Sequence, residues 1–141
     1  MRAVLQLARP CTDLSDADAY RIRPSELRPE RDHGLVVTPT PINIAHRGEI
    51  IAVALQQKKP AIYPYRFFVS DGGLVSYGVD PADIYRRAAS YVDRIILGEA
   101  PGTLPVQVPT KFDFALNLKT AVALGLTIPP TLLARADEVI E

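Results

Sequence analysis

Apolar and polar positions along this chain follow two different periods, and the switches between them mark its elements. Leu35-Val36-Val37-Thr38 is a short β-branched run entered from Gly34, which predicts a buried strand. Thr40-Pro41 predicts a helix start, a capping hydroxyl followed by proline where the missing N–H costs nothing. The helix expected to follow carries Ile44, Ile51 and Leu55 on one stripe. Lys58-Lys59 fall in its last turn and Pro60 stops it. Ala61-Ile62-Tyr63 is the next strand. Pro64 to Gly73 reads as irregular, and Leu74-Val75-Ser76-Tyr77 as a strand ended by Gly78.

Asp80-Pro81-Ala82-Asp83 is a further helix start, with an acidic cap, proline at the first position and an acid in the first turn. Ile84, Ala88, Tyr91, Val92 and Ile95 recur at helical spacing after it, and Gly98 is placed to end the helix. Pro101, Pro105 and Pro109 then forbid a helix, so Glu99 to Pro109 must run extended. It reads as an apolar crossover lying against protein surface. Phe112, Phe114 and Leu116 alternate with Asp113 and Ala115, as in a strand with one buried face. Asn117 caps a short helix closed by Gly125. A helical turn over Leu132 to Arg135 and an apolar Val139-Ile140 end the chain.

Residues 1–33 behave differently. They hold Arg2, Arg9, Arg21, Arg23, Arg28 and Arg31, no lysine, and no sustained apolar period. Val4, Leu5 and Leu7 are a weak helix candidate and Tyr20/Ile22 a weak strand candidate. Aspartates at 13, 16 and 18 offset the arginines, which favours a solvated, partly disordered leader over an arm for an acidic partner. The divisions expected are thus a leader (1–33), strand–helix units (34–98) and a crossover with a return segment (99–141). Strand–helix alternation of this kind implies an α/β, Rossmann-like three-layer lobe with a mostly parallel sheet.

Composition narrows the possible functions. The chain has 141 residues, and 16 Lys+Arg balance 16 Asp+Glu. With no net charge there is no global field to draw it onto nucleic acid or anionic lipid. One cysteine, Cys11, excludes an internal disulfide and a cysteine-based metal cluster. No apolar run reaches the roughly 18–20 residues of a spanning helix. Ala3 to Ala8, stopped by Arg9-Pro10, is too short and too interrupted for an export signal, so the chain as written reads as cytoplasmic.

Catalytic constellations are missing as well. There is no phosphate loop, no G-x-G-x-x-G, no H-E-x-x-H and no G-x-S-x-G. His46 reads as an ordinary exposed helical residue rather than a base or ligand, Cys11 as a bystander rather than a reactive thiol, and Asp71-Gly72-Gly73 as a tight turn rather than a cation site; His33 is the one other histidine. The expectation is a protein that is not an enzyme and needs no cofactor or metal.

Binding residues are easier to find. In parallel sheets small ligands sit beyond the carboxyl ends of the strands. Those ends fall at Thr38–Pro41, Tyr63–Arg66 and Tyr77–Asp80, all polar or aromatic. Tyr63, Tyr65 and Tyr77 suggest an aromatic wall for a flat organic ligand, with Gly78 beside them. Thr38 and Thr40, with the N–H groups opening the next helix, suggest a carboxylate cradle. The competing interpretation is that the tyrosines pack the sheet rim and Thr40 only caps. The pattern alone leaves both open.

Several segments carry a family resemblance. They begin with Gly34-Leu35-Val36-Val37, Ala45-His46-Arg47, Pro60-Ala61-Ile62-Tyr63 and Gly72-Gly73-Leu74-Val75-Ser76-Tyr77-Gly78. Asp83-Ile84-Tyr85-Arg86-Arg87, Leu104-Pro105-Val106-Gln107, Asn117-Leu118-Lys119-Thr120-Ala121 and Ala136-Asp137-Glu138-Val139-Ile140 follow in order. Together they resemble the C-terminal portion of ABC-transporter substrate-binding proteins related to bacterial tryptophan/tyrosine-binding transport proteins.

The resemblance implies two hinged Rossmann-like lobes that clasp a small organic solute, an aromatic or branched amino acid or a related acid, and deliver it to an ABC permease. It also implies a periplasmic location, with ligand-facing positions at Thr38, Thr40, Tyr63, Tyr65, Tyr77 and Gly78, and a last strand and helices lying beside the other lobe. Because most of an N-terminal lobe has no counterpart here, the expectation is a truncated family member. Such a chain would dimerise, by exchange of the Phe112–Glu141 segment. The alternative is an α/β interaction or structural domain that has lost solute binding.

Overall fold

Three short parallel strands, an antiparallel neighbour and an outer strand form the sheet that organises the chain. The computed structural model describes residues 34–141. The leader, with its candidate helix and strand and with Cys11 and His33, lies outside the described residues. The strands β1 (Leu35–Val36), β2 (Ala61–Tyr63), β3 (Val75–Val79), β4 (Phe112–Asn117) and β5 (Glu138–Ile140) are hydrogen-bonded in that spatial order. The pairs β1–β2, β2–β3 and β4–β5 are parallel, and β3–β4 is antiparallel. The fold is therefore α/β with a mostly parallel sheet, as the alternation of elements predicts.

The helices are α1 (Pro41–Ala45), α2 (Arg47–Gln56), α3 (Arg66–Ser70), α4 (Pro81–Ile96), α5 (Leu118–Ala123) and α6 (Pro130–Leu133). Capping is legible throughout. The Thr40 hydroxyl accepts from the Asn43 N–H, the Asp80 carboxylate from Ala82 N–H, and the Asn117 side-chain oxygen from Thr120 N–H. The predicted cap at Gly98 also holds. This glycine has φ +101°, and Gly98 and Glu99 donate back to Ile95 and Arg94, a Schellman close.

The structure corrects two expectations. The helix predicted from Pro41 to Lys59 breaks at His46, where the Arg47 side chain donates to the Ile44 carbonyl. It then ends at Gln56. Lys58 takes φ +49° in a Schellman turn, so Lys58 and Lys59 lie beyond the last turn, and Lys59 is buried. The stretch from Pro64 to Gly73 is not irregular throughout, because α3 occupies it. Phe68 and Val69 of α3 are fully buried. Five residues are too few for helical periodicity to show in sequence. The return segment joins this same sheet through its two strands. β4 pairs with β3 from Val75↔Leu116 to Val79↔Phe112. The Phe112–Asn117 strand thus finds its hydrogen-bonding partner in β3.

The core lies between β1–β2 and the helices α2 and α3. Ile50, Ile51 and Ala54 meet Ala61, Tyr63 and Phe68, and Leu35, Val37, Ile44, Leu55 and Tyr65 pack around them. Register explains the choice of side chains. Leu35 is level with Ala61, and Tyr63 with Ser76, so these share the face that the helices cover. A second tie joins α3 to α5. Asn117 Nδ2 donates to the Val69 carbonyl at 3.1 Å and Thr120 Oγ1 to the Gly72 carbonyl at 2.8 Å.

The crossover is less covered than its composition suggests. Among the described residues Val106 is 98% exposed and Val108 71% exposed. The segment is held instead by polar contacts to α4. Tyr91 Oη donates to the Pro105 carbonyl, and Arg87 donates to Thr110 Oγ1.

Gly78 is where β3 meets the turn after β2. A Cβ built there would sit 2.0 Å from the Pro64 carbonyl oxygen, which no side chain permits. Gly78→Ala is therefore expected to destabilise the fold by about 1–3 kcal/mol or more through overpacking. Gly48, within α2 with nothing near its missing Cβ, is the control. Gly48→Ala should stabilise by about 0.5–1 kcal/mol. Urea denaturation of the two variants checks both signs.

Candidate functional site

Parallel pairing of β1, β2 and β3 brings their carboxyl ends to one edge of the sheet. Thr38, the Pro64-Tyr65 turn and Gly78-Val79-Asp80 stand there in neighbouring positions. Because β4 runs the other way, its entry at Lys111, Phe112 and Asp113 reaches the same edge. Of the six candidate residues, all belong to this edge in the backbone, but their side chains do not converge.

Thr38 is exposed, and Asn43 Nδ2 donates to its carbonyl at 2.9 Å and to its hydroxyl at 3.2 Å. Thr40 is half-buried and spends its hydroxyl on the α1 cap. That helix is a turn and a half long, so the expected cradle of helix N–H groups is slight. Tyr65 is half-buried. It packs on the core and stacks with Phe67 at 5.3 Å between ring centroids.

Tyr63 belongs to the core rather than to an aromatic wall. It is 2% exposed and stacks on Phe68 at 5.2 Å. Burial raises its phenol from 10.0 to about 12. Tyr77 takes the opposite face. Register sets Ser76 level with Tyr63, so its neighbour must point away, and it does so against Phe112 and Phe114. It is 56% exposed. The single wall of three tyrosines expected from sequence is therefore split among the core, the edge and the far face.

Sequence reasoning missed the charged part of this edge. A cleft of about 220 Å³ is lined by Arg66, Asp113, Phe114, Ala115, Asp137 and Glu138. Arg66, the first residue of α3, reaches Glu138 Oε2 at 2.5 Å. Asp137 Oδ2 accepts from Phe114 N–H at 2.8 Å, and Asp137 N–H donates to the Phe114 carbonyl. Alternation along β4 did hold one signal. Asp113, level with Gly78, must face away from Phe112 and Phe114. Guanidinium and carboxylates side by side suit a polar organic ligand. His46, exposed beside Glu49, sits with no nucleophile in that contact. Among the described residues no group of three or more His, Cys, Asp or Glu could hold a metal ion.

A second ionic contact closes the edge structurally. Lys111 Nζ donates to Asp80 Oδ2 at 2.7 Å, tying the start of α4 to the start of β4. The Lys111 hydrogen bond, opposed by desolvation and helped by the Ala82 N–H, holds the Asp80 carboxyl below its ordinary 3.8. The same contact raises Lys111 above 10.5.

Comparison with known proteins identifies what this fold and edge belong to. The family model described as ABC transporter substrate binding protein matches residues 25–140, and the chain belongs to that family. A conserved domain protein from Vibrio cholerae O1 biovar eltor is similar at 32% identity and a TM-score of 0.73, over 79% of this chain and 38% of that one. The ABC domain in complex with L-Trp from Streptococcus pneumonia is similar in fold at 24% identity and a TM-score of 0.72, over 83% and 41%. A ligand-free, open substrate binding protein with adhesive properties from Clostridium difficile gives 20% identity and a TM-score of 0.53, over 75% and 36%. The chain spans about two fifths of the length of the first two structures. No curated protein matches it.

The Asp80–Lys111 contact has a defined pH signature. A lowered carboxyl contributes stability above its ordinary 3.8, lost as pH falls through the lowered value. A raised ammonium contributes below 10.5, lost as pH rises through the raised value. Lys111→Met should therefore lower stability across the whole interval between, with the difference from wild type narrowing outside both limits. Urea midpoints measured against pH test this.

Proposed function

We propose that this chain forms one wall of a small-organic-solute site in the substrate-binding component of an ABC importer. The observation that carries this reading is the shared edge, where three parallel strands end side by side next to a charged cleft. Thr38, Tyr65 and Gly78 are the residues proposed to face the solute, with Thr40 and Tyr77 flanking them and Tyr63 holding the edge from inside. Residues 34–98 supply the strand–helix units and 99–141 the crossover and return strands that complete the sheet.

An aromatic or branched-chain amino acid, or a related acid, fits this chemistry. Tyr65 and its stacked neighbour Phe67 offer ring surface, while Arg66 and the carboxylates of the cleft offer partners for a zwitterion. The Streptococcus neighbour's complex with L-Trp supports the aromatic member of this set. The role is binding and delivery to a membrane permease, outside the cytoplasm, and not catalysis. Among the described residues no helix is long and apolar enough to cross a membrane. The second reading, an α/β interaction domain without a solute, draws on the exposed Tyr77 and Phe112.

Thermal unfolding against aromatic amino acids, branched amino acids and aromatic acids separates the two. A ligand selective for the native state stabilises by RT ln(1 + [L]/Kd), about 1.4 kcal/mol at ten times the dissociation constant. The solute reading expects a rising midpoint with at least one member, abolished by Tyr65→Ala. One wall alone implies weak affinity, so millimolar ligand is required. No shift with any member at that concentration would favour the interaction domain.

A further inference from the structure

Arg47, the first residue of α2, is tied in three directions. Its Nε donates to Asp71 Oδ2 at 2.6 Å, just past the end of α3. Its Nη1 donates to the Ile44 carbonyl at 3.4 Å, in the last turn of α1. The guanidinium also lies over the Phe67 ring, 5.7 Å from the centroid. A planar cation with separate donors and a flat face meets all three at once, which a compact ammonium cannot. The acid of the Asp71-Gly72-Gly73 turn thus serves to hold Arg47 in place.

Phe67 is in turn one member of a row of rings. Tyr65 stacks on Phe67 at an interplanar angle of 21°, Phe67 on Phe68 at 22°, and Phe68 on Tyr63 at 18°. Burial locks the inner end of the row, Tyr63 and Phe68. The outer end is looser. Tyr65 is half-buried, and its ring takes its direction from the core below it and from Phe67 beside it. A cation seated on the Phe67 face, and itself held by a carboxylate, supplies there the restraint that burial supplies further in.

We infer that Arg47 is a positioning residue for Tyr65, an assignment that rests on the solute-facing reading of that tyrosine. Arg47 holds Phe67, Phe67 holds the Tyr65 ring, and the ring is presented at the strand edge in one orientation. The same side chain links the two helices that leave this edge, since α1 starts from Thr40 and α3 from Tyr65. Arg47 acts through the ring and not on the solute.

The test is NMR of the full chain, reading the side-chain rotamer of Tyr65 from its Hα–Hβ couplings, with Tyr63 as internal control and L-tryptophan as the probe solute. Wild type should show a single Tyr65 rotamer. Arg47→Met should leave Tyr65 averaging among rotamers while Tyr63 stays fixed, and should weaken L-tryptophan roughly two- to fivefold. Phe67→Leu should loosen Tyr65 in the same way. Adding Arg47→Met to it should loosen Tyr65 no further, because the cation then has no ring to hold. Asp71→Asn, a smaller change, should move Tyr65 in the same direction and keeps the test readable if Arg47→Met does not fold. A Tyr65 that already averages in wild type, that ignores both Arg47→Met and Asp71→Asn, or that loosens only together with Tyr63 would overturn the inference. So would a double variant looser than Phe67→Leu alone. A Tyr65 fixed by Arg47 in a protein that gives no response to millimolar L-tryptophan would instead remove the aromatic-solute reading and leave the anchor standing.

Discussion

The arrangement depends on how closely β3 can lie against the end of β2. Two glycines set that distance. A Cβ at Gly73 would meet the Tyr63 ring at 2.7 Å, and one at Gly78 would meet the Pro64 carbonyl at 2.0 Å. With both positions bare, the Tyr63 ring fills the space beside Gly73 and stacks on Phe68. Phe68 in turn anchors a helix only five residues long. A helix that short has little stability of its own. It persists because Phe68 and Val69 are fully buried and because Asn117 reaches across to the Val69 carbonyl. The β2–α3–β3 unit is thus a single packed object, and the sheet edge inherits its rigidity.

That rigidity decides which residues can serve a ligand. Strand alternation sends Tyr63 inward and Tyr77 outward, so tyrosines that look equivalent in sequence occupy three environments. What remains at the edge is a set of backbone ends, one half-buried ring and a cleft of opposed charges. The chain's family is that of ABC transporter substrate binding proteins, and in the proposed reading this edge is one wall of the site.

Much of the fold is legible in the sequence because local signals are strong where they occur. Thr40, Asp80 and Asn117 cap the helices that they precede, and Gly98 ends the longest one, since capping needs only a residue and its near neighbours. Other features depend on tertiary contacts. Lys58 takes the left-handed position usually given to glycine, so α2 ends three residues before the Lys59 that the pattern suggests. Helix α3 is hidden by its length, and the β3–β4 pairing leaves no local mark because its partners lie far apart in sequence. The cleft was missed for the same reason. Arg66 and Glu138 are 72 positions apart in sequence and meet only through the β3–β4–β5 pairing. Conversely, aromatic identity at a strand end is visible in sequence, while the face it takes needs the register of its neighbours.

The most direct measurement is a backbone amide titration by NMR of the isotope-labelled chain with an aromatic amino acid. If solute rests on the shared strand edge, the shifts that move will cluster at Thr38, Tyr65, Arg66, Gly78 and Asp113, with α4 and α6 silent. Shifts scattered over α4 or the crossover, or a spectrum unchanged at saturating millimolar ligand, would contradict the account.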